Sequence, residues 1–192
     1  FKEGNTLVGK PSSTYWLKLA VKGDSLFVKK WVLEIYNVHI DHLTLYRPLD
    51  HGGFDSSQTG YNLTFKEREY KTINFVFDID GGSNNIKTYY FKIKSDNPTW
   101  LQAHLRTNNY YTYYAVSEYY LLGIFYGIIL IMAVYNLLIF FSTKESVYIY
   151  YVLYVLLSGL VSILEDGTGF AHLWSNYPEF SDFASTYARL LW

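Results

Sequence analysis

Polar and apolar residues alternate with a period of two along the first hundred positions. The apolar sets are Leu17/Leu19/Val21, Trp31/Leu33/Ile35, Leu43/Leu45, Ile73/Phe75/Phe77/Ile79, Tyr89/Phe91/Ile93 and Leu101/Ala103/Leu105. Successive side chains of a strand point to opposite faces, so each set predicts a half-buried strand. Gly23-Asp24, Pro48 to Gly53, Asp80-Gly81-Gly82 and Asp96-Asn97-Pro98 lie between the sets and carry antiparallel turn chemistry. Many short strands with frequent turns predict an all-β sandwich of two sheets over residues 1–108. Tyr61 to Lys71 breaks the alternation with Lys66, Glu67, Arg68, Glu69 and Lys71, which reads as a long surface loop.

After Glu118 the pattern changes completely. Tyr119 to Thr143 contains no charged residue, and neither does Ser146 to Leu164; Ser142-Thr143-Lys144-Glu145 is the short polar link between the two runs. A bilayer core about 30 Å thick needs roughly 20 apolar residues in a helix, and Leu121 to Phe141 meets that length. Two membrane spans joined by a tight turn form a helical hairpin; buried core helices of a large soluble protein seldom run so long without charge. Residues 109–118, rich in tyrosine, read as a connector at the membrane interface, where the ring is apolar and the hydroxyl stays wet. Lys144 is offset by Glu145, so orientation rests on the short turn facing the cytoplasm and residues 1–118 lying outside.

Within the first span, Gly123 and Gly127 have a small-xxx-small spacing that admits another helix. Asn136 must satisfy its amide inside the bilayer, which predicts interhelical hydrogen bonding. Glu165-Asp166-Gly167-Thr168-Gly169 reads as a solvated external loop, and a third helix is expected to start near 181–192. The chain opens at Phe1 without a signal-peptide pattern and closes at Trp192 in this third helix, so it is expected to be part of something longer.

Composition changes the picture only by exclusion. Mean hydropathy is zero because a charged half and an uncharged half cancel. Acids and bases nearly balance before Tyr119, which gives no overall electrostatic attraction to nucleic acid. The absence of cysteine excludes disulfides, zinc clusters and thiol catalysis. No phosphate-cradling glycine motif, HExxH or nucleophile elbow is present, and His39, His42, His51, His104 and His172 are scattered, so no enzyme site and no cofactor is expected. Asp78-Ile79-Asp80-Gly81-Gly82-Ser83-Asn84-Asn85 is rich in oxygen ligands for calcium, but it lacks EF-hand spacing and suits a hairpin turn equally.

The stretch Tyr126-Gly127-Ile128-Ile129-Leu130-Ile131-Met132-Ala133-Val134-Tyr135-Asn136-Leu137-Leu138, followed by Tyr148-Ile149-Tyr150-Tyr151 and Gly167, resembles the opening of the seven-transmembrane receptors with diverse intracellular signalling modules. Upstream, Tyr15-Trp16-Leu17-Lys18-Leu19, Trp31-Val32-Leu33-Glu34-Ile35, Asp41-His42-Leu43-Thr44-Leu45-Tyr46, Thr59-Gly60 with Arg68, and Tyr89-Tyr90-Phe91-Lys92-Ile93-Lys94-Ser95 resemble the second type of extracellular domain in that family. The resemblance implies a jelly-roll sandwich akin to carbohydrate-binding modules. It further implies a bacterial inner-membrane sensor whose cytoplasmic end carries a diguanylate cyclase, a histidine kinase or a related output. Lys18 stands at the usual basic position of the opening strand, while Lys22-Gly23-Asp24 replaces the frequent Asn after it. Neither feature fixes the ligand.

Candidate ligand groups come from strand faces opposite the core. Trp100, Gln102, His104 and Arg106 share one parity, and His42, Thr44 and Tyr46 share another. An aromatic plate beside amide and charged donors suits a sugar, whose apolar ring face stacks while its hydroxyls need partners. An ordinary solvated sheet face, with Trp100 covering a loop, fits the same pattern. Trp16 and Arg68 complete the set; Arg68 fits equally as a tie from its loop to a carboxylate. The expected function is a membrane receptor that binds a small molecule or carbohydrate outside and signals through the bundle, as a monomer or a homodimer, by shifting its population between two arrangements. The alternatives are a membrane-tethered glycan- or protein-binding module without signalling, and a transport subunit, which would need more intramembrane polar residues than Asn136.

Overall fold

The computed structural model describes residues 6–8, 13–22, 30–80, 86–95, 99–180 and 183–184. The strands are β1 (Thr6–Val8), β2 (Thr14–Lys22), β3 (Trp31–Ile35), β4 (His42–Pro48), β5 (Phe54–Thr59), β6 (Phe75–Ile79), β7 (Ile86–Lys94), β8 (Thr99–Leu101) and β9 (Ala103–Thr107). The helices are α1 (Asn108–Thr143), α2 (Ser146–Glu165) and α3 (Thr168–His172). A four-stranded sheet in the order β2-β7-β4-β5 packs on a three-stranded sheet in the order β6-β3-β9, with β1 and β8 forming a separate pair. Every pairing among these strands is antiparallel.

The alternating sets close the core. Leu43, Leu45, Tyr89, Phe91 and Ile93 of the larger sheet meet Leu33, Ile35, Phe75, Phe77 and Ile79 of the smaller. Phe77 and Phe91 touch edge to face across the sandwich, with ring centroids 5.7 Å apart. β5 has no apolar alternation, and the sequence pattern missed it. Phe54-Asp55-Ser56-Ser57-Gln58-Thr59 is a strand because the hairpin after β4 aligns its backbone, from Leu43 opposite Thr59 to Pro48 opposite Phe54. The set Leu101/Ala103/Leu105 is not one strand. It breaks at Gln102, where β8 leaves β1 and β9 joins β3, and the Gln102 carbonyl accepts from the Tyr36 N–H at 2.8 Å.

At the end of β5, Tyr61 N–H donates to the Ile40 carbonyl at 2.7 Å, which draws Gly60 against the backbone at Asp41. A Cβ at Gly60 would overlap the Asp41 carbonyl, and backbone cannot rotate aside. Gly60→Ala is therefore expected to cost about 3 kcal/mol, toward the top of the overpacking range. Thermal unfolding of the whole chain in detergent measures it, and an unchanged midpoint would show that this strand end yields freely.

The connector expected over 109–118 is helical, since α1 runs unbroken from Asn108 into the first apolar run. Lys144 then adopts the left-handed conformation at φ 60°, and its N–H caps the Phe140 carbonyl, so the chain reverses at once into α2. Ala133, with Ile129 and Leu137, packs against Val152 and Val155 of α2. The close approach between the helices comes at Gly159, beside Ile129, whereas Gly123 and Gly127 face open space. Asn136 donates to the Met132 carbonyl of its own helix at 2.8 Å rather than across to α2. Outside this seam most apolar side chains of both helices are exposed, among them Ile128, Ile131, Leu138, Leu153 and Leu157. Core helices of a soluble protein would bury these residues, so here lipid or further helices must cover them. The third helix expected over 181–192 lies outside the described residues, apart from helical positions 183 and 184.

Candidate ligand face and its junction with the helices

Strand parity and register place even-numbered residues of β2, β4, β5 and β7 on the outer face of the larger sheet. Trp16, Lys92, Thr44 and Gln58 form one row across it; Lys18, Tyr90, Tyr46 and Ser56 form the next. Trp16 is 59% exposed and lies stacked with Tyr46, ring centroids 5.7 Å apart and planes at 27°. Phe54 meets Tyr90 edge to face at 5.6 Å. The four rings form a diagonal from β2 to β5, rising from Trp16 through Tyr90 and Tyr46, which share a row, to Phe54. Beyond Phe54 the face ends in a groove of about 340 Å³, with Pro48, Ile86 and Thr88 among its walls. Lys87 stands at its rim, held by Asp80 at 2.7 Å and Asp50 at 3.2 Å. The hydrogen bond from Lys87 to Asp80, followed by the one to Asp50, raises its pKa.

This face collects Trp16, His42 and Tyr46 from the sequence candidates and adds Phe54, Tyr90, Lys18 and Lys92. Tyr90 was legible in the sequence as the outward position between the core residues Tyr89 and Phe91. Phe54 was not, because its strand carries no apolar alternation.

The remaining candidates stand elsewhere. Trp100 lies on β8 opposite Leu7 of β1, and its side chain is outside the described residues. His104 and Arg106 lie on β9, opposite Glu34 and Val32 of β3. The outer side of that sheet is covered rather than open to a ligand: Tyr111 of α1 packs on Val32 and Val76, with Ala115 and Tyr70 beside them. Arg106 pairs with Glu34, which is only 1% exposed, and its guanidinium lies 4.2 Å from the centre of the Tyr114 ring. Asn74 Nδ2 donates to the same carboxylate at 2.9 Å. Arg106 thus joins sheet to helix.

Arg68 is 5% exposed, while Lys66, Glu67, Glu69 and Lys71 around it are exposed as a surface loop predicts. Its Nη1 donates to the carbonyls of Thr72 at 2.9 Å and Ile73 at 2.7 Å, so it ties its loop to backbone and not to a carboxylate. The guanidinium faces the rings of Phe75, Phe65 and Phe170 at 4.4, 4.8 and 5.5 Å. Burial lowers its pKa to about 10, which leaves it charged at neutral pH. Phe170 belongs to α3, and this corrects the expected solvated loop after the second span. Gly167, Gly169, Phe170 and Ala171 are buried, with Phe170 and Ala171 packed on Tyr61 and Phe65 of the sandwich. Phe65 N–H donates to the Ser175 carbonyl at 3.1 Å. One phenylalanine in a glycine-rich acidic stretch gave no periodic signal.

Two further bonds fasten the sandwich to α1. The Tyr36 hydroxyl donates to Glu118 at 2.7 Å, and that bond is the first cause of a raised Tyr36 pKa. The Tyr119 hydroxyl accepts the Ile73 N–H at 3.0 Å. In the oxygen-rich stretch that fits either calcium or a hairpin turn, Asp78 accepts from the Tyr70 hydroxyl at 2.6 Å and Asp80 is paired with Lys87; residues 81–85 lie outside the described part.

Residues 1–107 match the family described as 7TMR-DISM extracellular 2, and residues 118–192 match 7TM diverse intracellular signalling. The chain belongs to the 7TMR-DISM family. The boundary between the two matches falls within the first turns of α1, where the structure fastens helix to sheet. No curated protein and no solved structure matches the chain. A 7TMR-DISM chain is a membrane receptor of the sensory type with an extracellular domain, and the matched domains are of receptor rather than catalytic kind.

Proposed function

We propose that the outer face of the four-stranded sheet binds a carbohydrate, and that occupancy is passed through the junction to the helices and on to a cytoplasmic output. The single observation carrying this reading is Trp16, a large ring held open to solvent on a sheet and stacked with Tyr46. A flat, prearranged aromatic pair offers a surface to the apolar face of a pyranose, while Gln58, His42 and the flanking lysines supply hydrogen-bonding partners for hydroxyls. The jelly-roll character of the sandwich, the periplasmic side for residues 1–118, and a bacterial inner membrane crossed several times belong to the same reading.

Signalling has a physical route. β5 carries Ser56 and Gln58 on the ligand face and continues through Gly60 into Tyr61 and Phe65, which hold Phe170 after the second span. A ligand that prefers one position of β5 would bias the helix pair by its difference in affinity for the two arrangements. Binding of saccharides to the whole chain in detergent tests the face. Trp16→Ala is expected to weaken retention on immobilised polysaccharide about tenfold, the scale of one lost stacking contact, with an unchanged melting midpoint. Equal retention by parent and variant would remove the face from consideration.

A further inference from the structure

The outer face of the larger sheet is more basic than the nearly neutral chain that carries it. Its outward positions are Thr14, Trp16, Lys18, Ala20 and Lys22 on β2, and Ile86, Thr88, Tyr90, Lys92 and Lys94 on β7. β4 adds His42, Thr44, Tyr46 and Pro48, and β5 adds Phe54, Ser56 and Gln58. None of these is an aspartate or a glutamate, although acidic and basic residues are nearly equal in number over the chain as a whole. Among the described residues the salt bridges engage Arg47, Lys87 and Arg106, and none engages Lys18, Lys22, Lys92 or Lys94. Lys18 and Lys92 flank the aromatic diagonal directly: Lys18 stands beside Tyr90, and Lys92 lies between Trp16 and Thr44 in register.

We infer that the ligand of this face is an acidic polysaccharide, whose sugar rings stack on Trp16 and its neighbours while its carboxylate or sulfate groups meet Lys18, Lys92, Lys94 and Lys22. This rests on the carbohydrate reading and narrows it. Two features of the face call for the two parts of the ligand. Uncompensated lysines on one surface repel one another and raise the local potential, a cost that an anionic partner relieves. A bare polyanion would need no aromatic plates, and a neutral glycan would need no cationic rows. The diagonal also crosses all four strands of the sheet. With strands about 4.8 Å apart it measures well over 10 Å, which suits a chain of several sugars better than a single one.

The test uses the whole chain in a neutral detergent and measures retention on four immobilised polymers: polygalacturonate, dextran sulfate, unmodified dextran and polyglutamate. Polygalacturonate and dextran sulfate separate carboxylate from sulfate as the preferred anion, and either one suffices. The expected result is retention of at least one acidic polysaccharide above dextran and polyglutamate, weakening as salt rises to shorten the screening length. The paired reversal Lys18→Glu with Lys92→Glu is expected to lower that retention about tenfold, since two attractions become repulsions at exposed sites. Trp16→Ala should lower it as well.

Equal retention of dextran and the acidic polymers, insensitive to the lysine reversals but lost in Trp16→Ala, would overturn this inference and leave the carbohydrate reading standing. Equal retention of polyglutamate, or of a single-stranded oligothymidylate run alongside, would show a general polyanion patch and overturn it too. Retention of none of the polymers would overturn both readings. Because the substituted lysines are exposed at the surface, an unchanged melting midpoint separates lost binding from lost folding.

Discussion

Arg106→Ala is expected to lower the melting midpoint of the whole chain by well over 10 °C. Glu34 sits on the central strand of the smaller sheet, 1% exposed, between the core and the head of α1. Its carboxylate has two described partners, the Arg106 guanidinium and Asn74 Nδ2. Removing the arginine leaves a buried carboxylate with one neutral donor, a situation that costs about 3 to 5 kcal/mol. For a domain of this size each kcal/mol moves the midpoint by roughly 4 to 8 °C. The variant also loses the guanidinium over Tyr114, so the same change loosens α1 from the sheet.

Adding Glu34→Gln to Arg106→Ala removes the stranded charge and keeps an acceptor for Asn74, so most of the loss should return. A single variant melting within about 2 °C of the parent would show that water reaches Glu34 and that the pair is worth no more than a surface bridge.

How much of this was legible follows from what each signal depends on. The core strands were legible because burial imposes a period on sequence, with Leu43/Leu45 and Tyr89/Phe91/Ile93 on the inner face they predict, and both long helices because each run is apolar and free of charge over a span's length. The break at Gln102 was not, because parity continues through it while the strand changes partner. That break is why Trp100, Gln102, His104 and Arg106, one face on paper, are divided among β8, the break itself and β9. Glu34 read as an outward polar position, and it is outward; what the pattern could not carry is that α1 covers that side of the sheet. Arg68 and Phe170 are the extreme case. They lie about a hundred positions apart, each in a segment too polar to look buried, and only the return of the chain after the second span brings them together.

Arg68→Met should open that junction while leaving the sandwich closed. The methionine replaces the apolar stem of the side chain but gives the carbonyls of Thr72 and Ile73 no donor and the rings of Phe65, Phe75 and Phe170 no cation. Losing charged hydrogen bonds to buried carbonyls costs about 2 to 4 kcal/mol. Arg68→Lys should recover only part of the loss, because an ammonium can donate to both carbonyls but cannot lie as a plane against the three rings. The loss falls on the contact between residues 61–74 and residues 165–175, where Phe65 and Ser175 share a backbone bond. Hydrogen exchange on the whole chain in detergent reads this locally. Amides in those two segments are expected to lose protection while β2, β4 and β7 keep theirs, since separate cooperative units open at separate free energies. An even loss across both sheets would place Arg68 in the core of the sandwich, and no loss at all would mean that the packing of Tyr61, Phe65 and Phe170 suffices without it. If the local pattern is found, the same variant should also retain ligand on the outer face, because Trp16, Lys18, Tyr46, Tyr90 and Lys92 of that face lie on strands that remain protected.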